Sequence, residues 1–441
     1  MQSATLFRHL LGVEKTVVEN VQFVGLADSL TNDDERMLVL SVRPNRQARH
    51  RCGRCGKRGR VYDQGQGKRQ WRSLDIGSTK VFLEADAPRI TCRKHGVVVA
   101  AVPWARHDAG HTRDFDETVA WMATRMSKSA VREFMRVAWR TVGSIMTRVW
   151  ADGDIAADRF AGLTRIGIDE ISYKRGHKYI TVVVDHDSGR LVWAAPGRDM
   201  ATLRGFFDEL GEARSAEITH VSADQAQWIA DVVTSHAPNA VLCADPFHIV
   251  AWATDALDIV RRQAWNDARA MARNAGKPAL PGHPNADGGL PVAAGQAKSF
   301  KGARHALWKN PENLTDNQRI KLTWIASTDP KLYRAYLLKE GLRVVFQLPL
   351  DAATQALDRW IGWARRCRIP AFVKLQKSIV KHRVSILAAI EHGLSNGRVE
   401  SMNTKIRLIT RMAYGFKSPE ALIALAMLSL GGQKPVLPGR K

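Results

Sequence analysis

Apolar and polar residues alternate with a period of two near the start of the chain, through VVENVQFVGLADSL and then MLVLSVRP, with TNDDE between them as a turn. Such alternation predicts short, half-buried strands, and VFLEADAPRI at 81–90 continues it. From about 115 to 150 the period becomes 3.6, with Val119, Met122, Met126, Val131, Phe134, Val137, Val142, Ile145 and Val149 recurring on one face. This predicts two or three short helices, FDETVAWMATRM, KSAVREFMRVA and TVGSIMTRVW, joined by brief polar turns. Strand signal returns at 165 in TRIGIDE, HKYITVVVDHDSG and RLVWAAPG, with a hairpin turn in DHDSGR that ends on Gly189. A helix centred on LRGFFDELG, the strand ITHVSAD, the helix QWIADVVTSHA and the strand NAVLCAD then predict an α/β domain with a mixed sheet.

Between 249 and 390 the pattern is helical, interrupted by a Gly-, Pro- and Ala-rich stretch at 275–300 that reads as a flexible or lid-like loop inside a helical insertion. A helix around 397–412, the break YGF, a final apolar helix and a short basic tail end the chain, and no internal repeat is found. The expected organisation is multidomain α+β. Its parts are a β-rich module at 1–105, a segment of short helices at 106–160, the first part of an α/β core at 161–248, a helical insertion at 249–390 and a C-terminal part with the helix that completes the core at 391–441.

Charge changes the picture from architecture to partner. The 441 residues carry a formal net charge of +23 on a composition that is 45% hydrophobic, so the excess belongs to a folded object and not to a disordered tail. A polyanion is the expected partner. No apolar run reaches the roughly 18 residues of a membrane span, and the first residues do not read as a signal peptide. The expectation is a soluble intracellular protein without a membrane role. The densest basic stretch is 43–72, with eleven Lys or Arg against the single acid Asp63. Within it Arg54, Lys57, Arg58, Arg60, Lys68, Arg69 and Arg72 are candidate DNA contacts; the bland alternative is a solvated face.

The five cysteines are too few and too oddly numbered for a secreted disulfide scaffold. Cys52 and Cys55 form CGRC, and Cys92 and His95 form CRKH, two ligand pairs with two-residue spacers. Thiolates and imidazole at that spacing suit one tetrahedral structural Zn²⁺ in a zinc-ribbon-like module; chance pairs or a redox CxxC are the alternatives. Cys243 and Cys367 lack such partners and are read as packed thiols. The helices at 115–150 fit a helix-turn-helix, although any short helical hairpin gives the same pattern.

Three acids stand where carboxylates are costly unless used. Asp169 ends the apolar run RIGIDE, Asp224 ends the strand ITHVSAD, and Glu400 lies on a helix capped by Ser395 or Asn396 and closed by Gly415. Two Asp from neighbouring strands and one Glu from a helix suit two Mg²⁺ or Mn²⁺ ions and phosphodiester chemistry. The alternative for Asp224 is a simple N-cap of the next helix. Asp245, in ADPFH, is a rival ligand; it and His248 are read as supporting residues, with Asn403, three positions after Glu400, on the same polar face.

Taken in order, CGRC and CRKH, GIDEISYKRGHKYITVVVDHDSGRLVW, VSADQAQWIADVV with ADPFHIV, and SNGRVESMNTKIRLITRMAYGF resemble bacterial insertion-sequence transposases of the ISL3 family over about 45–425. The resemblance implies a zinc finger, a helix-turn-helix and an RNase H-like DDE domain interrupted before its Glu, with Asp169, Asp224 and Glu400 as the triad. It implies nicking at terminal inverted repeats followed by attack of the freed 3′-OH on target DNA. Gln225 stands where the family often has Met, a departure that leaves the ligand in place. Lys174, Arg175 and Lys178, past the first Asp, and Arg398, Lys405 and Arg407, on the Glu helix, are further candidates for phosphate contact. The expected partners are double-stranded DNA at element ends and target, and further copies of the chain on that DNA. The alternative function is a sequence-specific DNA-binding regulator with an inactive RNase H-like domain.

Overall fold

The structure, a computed structural model, describes residues 3–24, 37–156, 158–275 and 296–440. The turn TNDDE and most of the Gly-, Pro- and Ala-rich stretch fall outside these residues; residues 296–300 at its end are helical. The chain divides into two compact units, residues 1–159 with 408–441, and residues 160–407. Among the described residues no helix is long and apolar enough to cross a membrane.

In the first unit, helix α1 (Ser3–Leu11) precedes strands β1 (Thr16–Val24), β2 (Met37–Pro44), β3 (Arg60–Asp63), β4 (Lys68–Ile76), β5 (Thr79–Asp86), β6 (Arg89–Cys92) and β7 (Gly96–Val99). A four-stranded sheet runs β1-β2-β5-β4 and a three-stranded one runs β3-β6-β7. Period-two burial sets Leu38, Leu40 and Val42 of β2 beside Val81 and Leu83 of β5, with Trp71 edge-on to Trp104 at 5.5 Å. The smaller sheet has little to bury: Cys52, Ile90, Cys92 and Val98 form its whole buried cluster.

Helices α2 (Arg113–Ala123), α3 (Lys128–Met135) and α4 (Trp139–Ala156) follow. Thr112 and Ser127 cap α2 and α3 by accepting from backbone N–H groups, and Arg136 at φ 52 ends α3 in the left-handed region, which makes the turn into α4. The predicted apolar face is buried at Val119, Met122, Val131, Val142, Ile145 and Val149, whereas Phe134 is 72% exposed. The last helix, Pro419–Leu430, packs on α4, so the expectation that all of 391–441 completes the catalytic core does not describe it. Its apolar residues lie all round and satisfy the helical bundle of the first unit instead.

The second unit holds β8 (Arg165–Lys174), β9 (Lys178–Asp185), β10 (Leu191–Pro196), α5 (Met200–Leu210), α6 (Glu212–Ser215), β11 (His220–Ala223), α7 (Gln227–His236), β12 (Val241–Ala244) and α8 (Pro246–Ala275). The sheet order is β10-β9-β8-β11-β12, antiparallel on one side of β8 and parallel on the other. This is the mixed sheet expected of an RNase H-like core. The helices from 304 to 391 pack with α8 around Leu257, Leu338, Leu342, Leu357, Trp360 and Phe372, a separate apolar cluster that forms the insertion.

The helix Gly397–Met412 buries Val399, Met402, Asn403 and Ile406, the i, i+3, i+4, i+7 stripe that faces the sheet. Asn396 accepts from the Glu400 N–H at 2.7 Å at its start, and the Gly415 N–H donates to Thr410 at 2.9 Å at its end, as the capping residues predicted. Contact with β8 is close because Gly167 has no side chain: a Cβ there would stand 2.3 Å from Val399 Cγ2 and 2.9 Å from His186 Nε2. Gly167→Ala should therefore lift this helix from the strand and destabilise the protein by about 1–3 kcal/mol; thermal unfolding should show the second unit melting several degrees lower.

Candidate functional site

The β8–β11 pairing brings two acids near one another. His220 pairs with Arg165, Val221 with Ile166 and Ser222 with Gly167; the ladder ends there, and Asp224, two residues on, is near enough for its charge to act on Asp169. Asp169 lies in the middle of β8 and not at a strand end, because β8 runs on to Lys174; this corrects the sequence expectation. Asp224 directly follows β11, as expected. It is not the cap of α7, whose N-cap is Ala226 without a side-chain bond.

Burial raises the Asp169 carboxyl above its usual range; the Glu170 amide and Asn403 work against the rise and the Asp224 charge adds to it. Oδ1 of Asp169 accepts from the Glu170 N–H at 2.7 Å, and Oδ2 accepts from Asn403 Nδ2 at 2.6 Å. A carboxylate only accepts, so this bond fixes which end of the Asn403 amide faces it. The other end, Oδ1, is buried without a hydrogen-bond partner. Glu400 is exposed one turn before Asn403 on the same helix, within the roughly 5–6 Å between Cβ atoms of i, i+3 neighbours. Among the described residues, no three Asp, Glu, His or Cys other than the zinc-type cluster bring ligand atoms within 4.8 Å of one another.

Asp245 is buried and accepts from the Phe247 N–H at 3.3 Å, the Asn396 N–H at 3.4 Å and His248 Nδ1 at 2.9 Å. His248 lies 3.9 Å from Asp224 Oδ1. The bond to Asp245 first, then the charges of Asp224 and Asp169 against burial, push its pKa up to about 9. An imidazolium thus stands beside the aspartates, and Asp245 already accepts from three donors.

Several residues of this site carry no motif. Glu170 is raised by burial, opposed by Arg198 at 3.9 Å; two consecutive acids in an apolar strand were its only signal. A buried chain runs from His186 Nε2 to Ser222 Oγ at 2.6 Å and on to Asn396 Oδ1, joining the β9 turn, β11 and the start of the Glu400 helix. Arg398 donates to the carbonyls of His186 and Asp187, so its guanidinium is engaged within the protein. Lys405 and Arg407 are exposed. Lys174, Arg175 and Lys178 are exposed at the tip of the β8–β9 hairpin, where Gly176 and His177 turn the chain at φ 84 and 56.

In the first unit, Cys52, Cys55, Cys92 and His95 come together with all ligand atoms within 4.8 Å. Cys52 Sγ lies 3.5 Å from His95 Nδ1, Cys55 Sγ 3.7 Å from Cys92 Sγ, and Cys92 Sγ 3.7 Å from His95 Nδ1. A tetrahedron with metal–sulfur bonds of about 2.3 Å has edges of about 3.8 Å, so the four donors fit zinc. The Lys94 amide, and after it the amide and ring of His95, pull the Cys92 thiol down to about 6, toward the thiolate a metal requires. Cys243 and Cys367 are buried apart from this group, and burial pushes the Cys243 thiol up to about 11, as suits packed thiols.

Of the basic residues here, Arg54, Lys57, Arg58 and Arg60 are exposed, Lys68 is exposed but paired with Glu84 at 3.0 Å, and Arg69 lies over Trp71. Arg72 corrects the sequence reading. It is 7% exposed, bonded to Asp75 and to the Ser73 carbonyl, and so holds the module together instead of facing solvent.

Three family profiles match. One described as a zinc-finger of transposase IS204/IS1001/IS1096/IS1165 covers residues 48–95, one described as a helix-turn-helix domain of transposase family ISL3 covers 100–150, and a transposase profile of the DDE type in that family covers 166–426. The chain is 61% identical over 441 residues to the transposase for insertion sequence element IS1557 of Mycobacterium tuberculosis, in strains CDC 1551 / Oshkosh and H37Rv, covering all of this chain and 98% of each relative. It is 25% identical over 391 residues to the transposase for insertion sequence element IS1001 of Bordetella parapertussis, covering 88% of this chain and 90% of the relative.

Two measurements check the site. Chelation, or Cys92→Ser, should release zinc and unfold the β3-β6-β7 sheet, seen as lost hydrogen-exchange protection over 48–100 with the second unit unchanged. Burial, aided by the Arg398 and Arg165 charges, pushes His186 down to about 4, below its unfolded value near 6.5. Its contribution is fully present above about pH 6.5 and is lost as pH falls toward 4, because the unfolded chain then binds the extra proton. Denaturant titrations across that range should show the second unit weakening, and His186→Gln should flatten the dependence.

Proposed function

The chain belongs to the ISL3 family of insertion-sequence transposases, and from that premise we propose that it binds the terminal inverted repeats of its element and cleaves and joins DNA with two divalent metal ions held by Asp169, Asp224 and Glu400. As a DDE transposase it is a DNA-cleaving, strand-transferring enzyme with a helix-turn-helix that binds DNA. The observation that supports the triad is the Asn403 bond from the Glu400 helix to Asp169, whose carboxyl also feels the Asp224 charge. The donor set suits Mg²⁺ or Mn²⁺: carboxylate oxygens that repel one another, and an orphan amide oxygen on Asn403. Bound there, such ions activate the attacking oxygen, water or a 3′-OH, and stabilise the leaving one.

The protein's own residues supply position and charge. Asn403 and the Glu170 amide hold both oxygens of Asp169 in one orientation. His248, charged at neutral pH and steadied by Asp245, offsets the aspartates so that a phosphate can approach them. The exposed Lys174, Arg175 and Lys178 of the hairpin, with Lys405 and Arg407, are assigned to the DNA backbone. Arg398 is assigned to the hairpin carbonyls it already meets. One structural zinc holds the N-terminal ribbon, and Arg54, Lys57, Arg58 and Arg60 around it reach phosphates. Paired ends imply that more than one copy acts on DNA.

Asp169→Asn, Asp224→Asn and Glu400→Gln should each reduce Mg²⁺-dependent cleavage of DNA carrying the element's ends to background while leaving binding to that DNA within a few-fold of wild type. Full cleavage by any of the three removes that residue from the site. No cleavage by the wild type, with binding intact, favours a DNA-binding regulator.

A further inference from the structure

Lys128 opens α3, yet its side chain does not run out into water. The residue is 3% exposed, and its ammonium lies 3.4 Å from the centre of the Trp139 ring and 5.8 Å from that of Phe416. No carboxylate or carbonyl among the described residues is bonded to it, and burial alone pulls its pKa down to about 8. An uncompensated buried charge is costly, and the aromatic faces offset only part of that cost.

Its neighbours make room for it. Gly143 interrupts the interior of α4, where glycine weakens a helix, and a Cβ there would stand 3.0 Å from the Lys128 ammonium. The ammonium borders a cavity of about 370 Å³ in the first unit, between α4 and the start of the Pro419–Leu430 helix. Arg140 and Lys417 bring two more cations to its lining, Ser144, Thr147 and Ser418 bring hydroxyls, and no acid lines it. Ser418 accepts from the Ala421 N–H at 3.4 Å, so its own O–H is free to donate, and the positive end of a twelve-residue helix lies at the same wall.

We propose that this cavity seats one phosphate of the DNA backbone, with Lys128 as its buried charge and Arg140 and Lys417 beside it. The assignment rests on the reading of α2–α4 as the DNA-binding helix-turn-helix, and it adds the last helix of the chain to that interface. A tetrahedral anion meets three cations and the free Ser418 hydroxyl there, the Ser144 and Thr147 hydroxyls already donating to the Arg140 and Gly143 carbonyls, and the phosphate-rich polyanion this enzyme handles is DNA. The ammonium is then a charge held ready for its partner and not an unexplained cost.

The test uses the full-length protein. Binding of a duplex carrying the element's ends, followed by fluorescence anisotropy from about 0.05 to 0.2 M salt, should give Lys128→Met a salt dependence shallower by about one phosphate contact, with affinity about eightfold weaker at 0.1 M salt. The loss should be the same for any duplex sequence, because a phosphate contact reads none. The Tm of Lys128→Met should equal or exceed that of wild type, since an unpaired buried charge has been removed. An unchanged salt slope overturns the proposal. If Lys128→Met does not fold, Arg140→Gln, at an exposed position, takes its place with a change of the same sign. Inorganic phosphate alone should raise the Tm of wild type and not that of Lys128→Met; an equal rise in both, or none in either, counts against the cavity. A wild type that binds no DNA fails the helix-turn-helix reading instead, and the phosphate measurement then decides the cavity by itself.

Discussion

One hydrogen bond joins parts of the chain 234 residues apart: Asn403 Nδ2 donates to Asp169 Oδ2. It needs β8 and the Gly397–Met412 helix to come within touching distance, which the bare Cα of Gly167 under Val399 permits. It also needs the helix to be held in rotation, which the buried stripe of Val399, Met402 and Ile406 provides. Everything said of Glu400 depends on this contact. Glu400 has no buried partner of its own, and only its place one turn before Asn403 relates it to the two aspartates. The insertion between β12 and this helix has an apolar cluster of its own, around Leu338 and Trp360.

The same region shows how acids are kept usable in a low-dielectric setting. Asp169 and Glu170 are both raised by burial, and a cation is set near each: His248 toward the aspartates and Arg198 toward Glu170. Neither cation makes a short bond to Asp169, whose oxygens are held by an amide and a backbone N–H instead. A tight ion pair would have satisfied the carboxylate and removed it from use. Hydrogen bonding from neutral donors orients it and leaves its charge available for a stronger cation.

The first unit meets a different constraint, too little apolar material in its smaller sheet. Four thiol and imidazole groups stand in for the missing core of β3-β6-β7, and ion pairs bind α2, α4 and the loop before α2 to one another. Arg106 reaches Glu117 on α2 at 3.0 Å and Asp152 on α4 at 2.9 Å, while the fully buried Asp116 accepts from Arg148 at 2.9 Å. Across the expected boundary at 105, Arg136 pairs with Asp75 of β4, the Arg72 N–H donates to the Gly110 carbonyl at 2.9 Å and the Thr112 N–H to the Arg72 carbonyl at 2.9 Å, which ties both sides into one compact unit. Part of the +23 charge is therefore internal: Arg72, Arg106 and Arg148 serve the fold.

Local pattern determined a great deal by itself. The alternation of β2 and β5, the helical face from Val119 to Val149, the spacing of CGRC and CRKH and the caps of the Glu400 helix are each set by residues close in sequence, so period and spacing were enough to read them. Asp169 and Asp224 stood out for the same reason, as acids closing apolar runs, and Glu400 stood out as one acid among cations on a polar helix face. Only the tertiary structure decided which charges are spent and which are free. Arg72 and Arg398 look like their exposed neighbours in sequence, and what distinguishes them is a carboxylate or carbonyl brought in by another element. The parallel register of β8 and β11, the room Gly167 makes for Val399 and the buried ammonium of Lys128 are likewise invisible locally. Each depends on a close approach between distant segments, and the energy of such an approach lies in the pair and in neither segment alone.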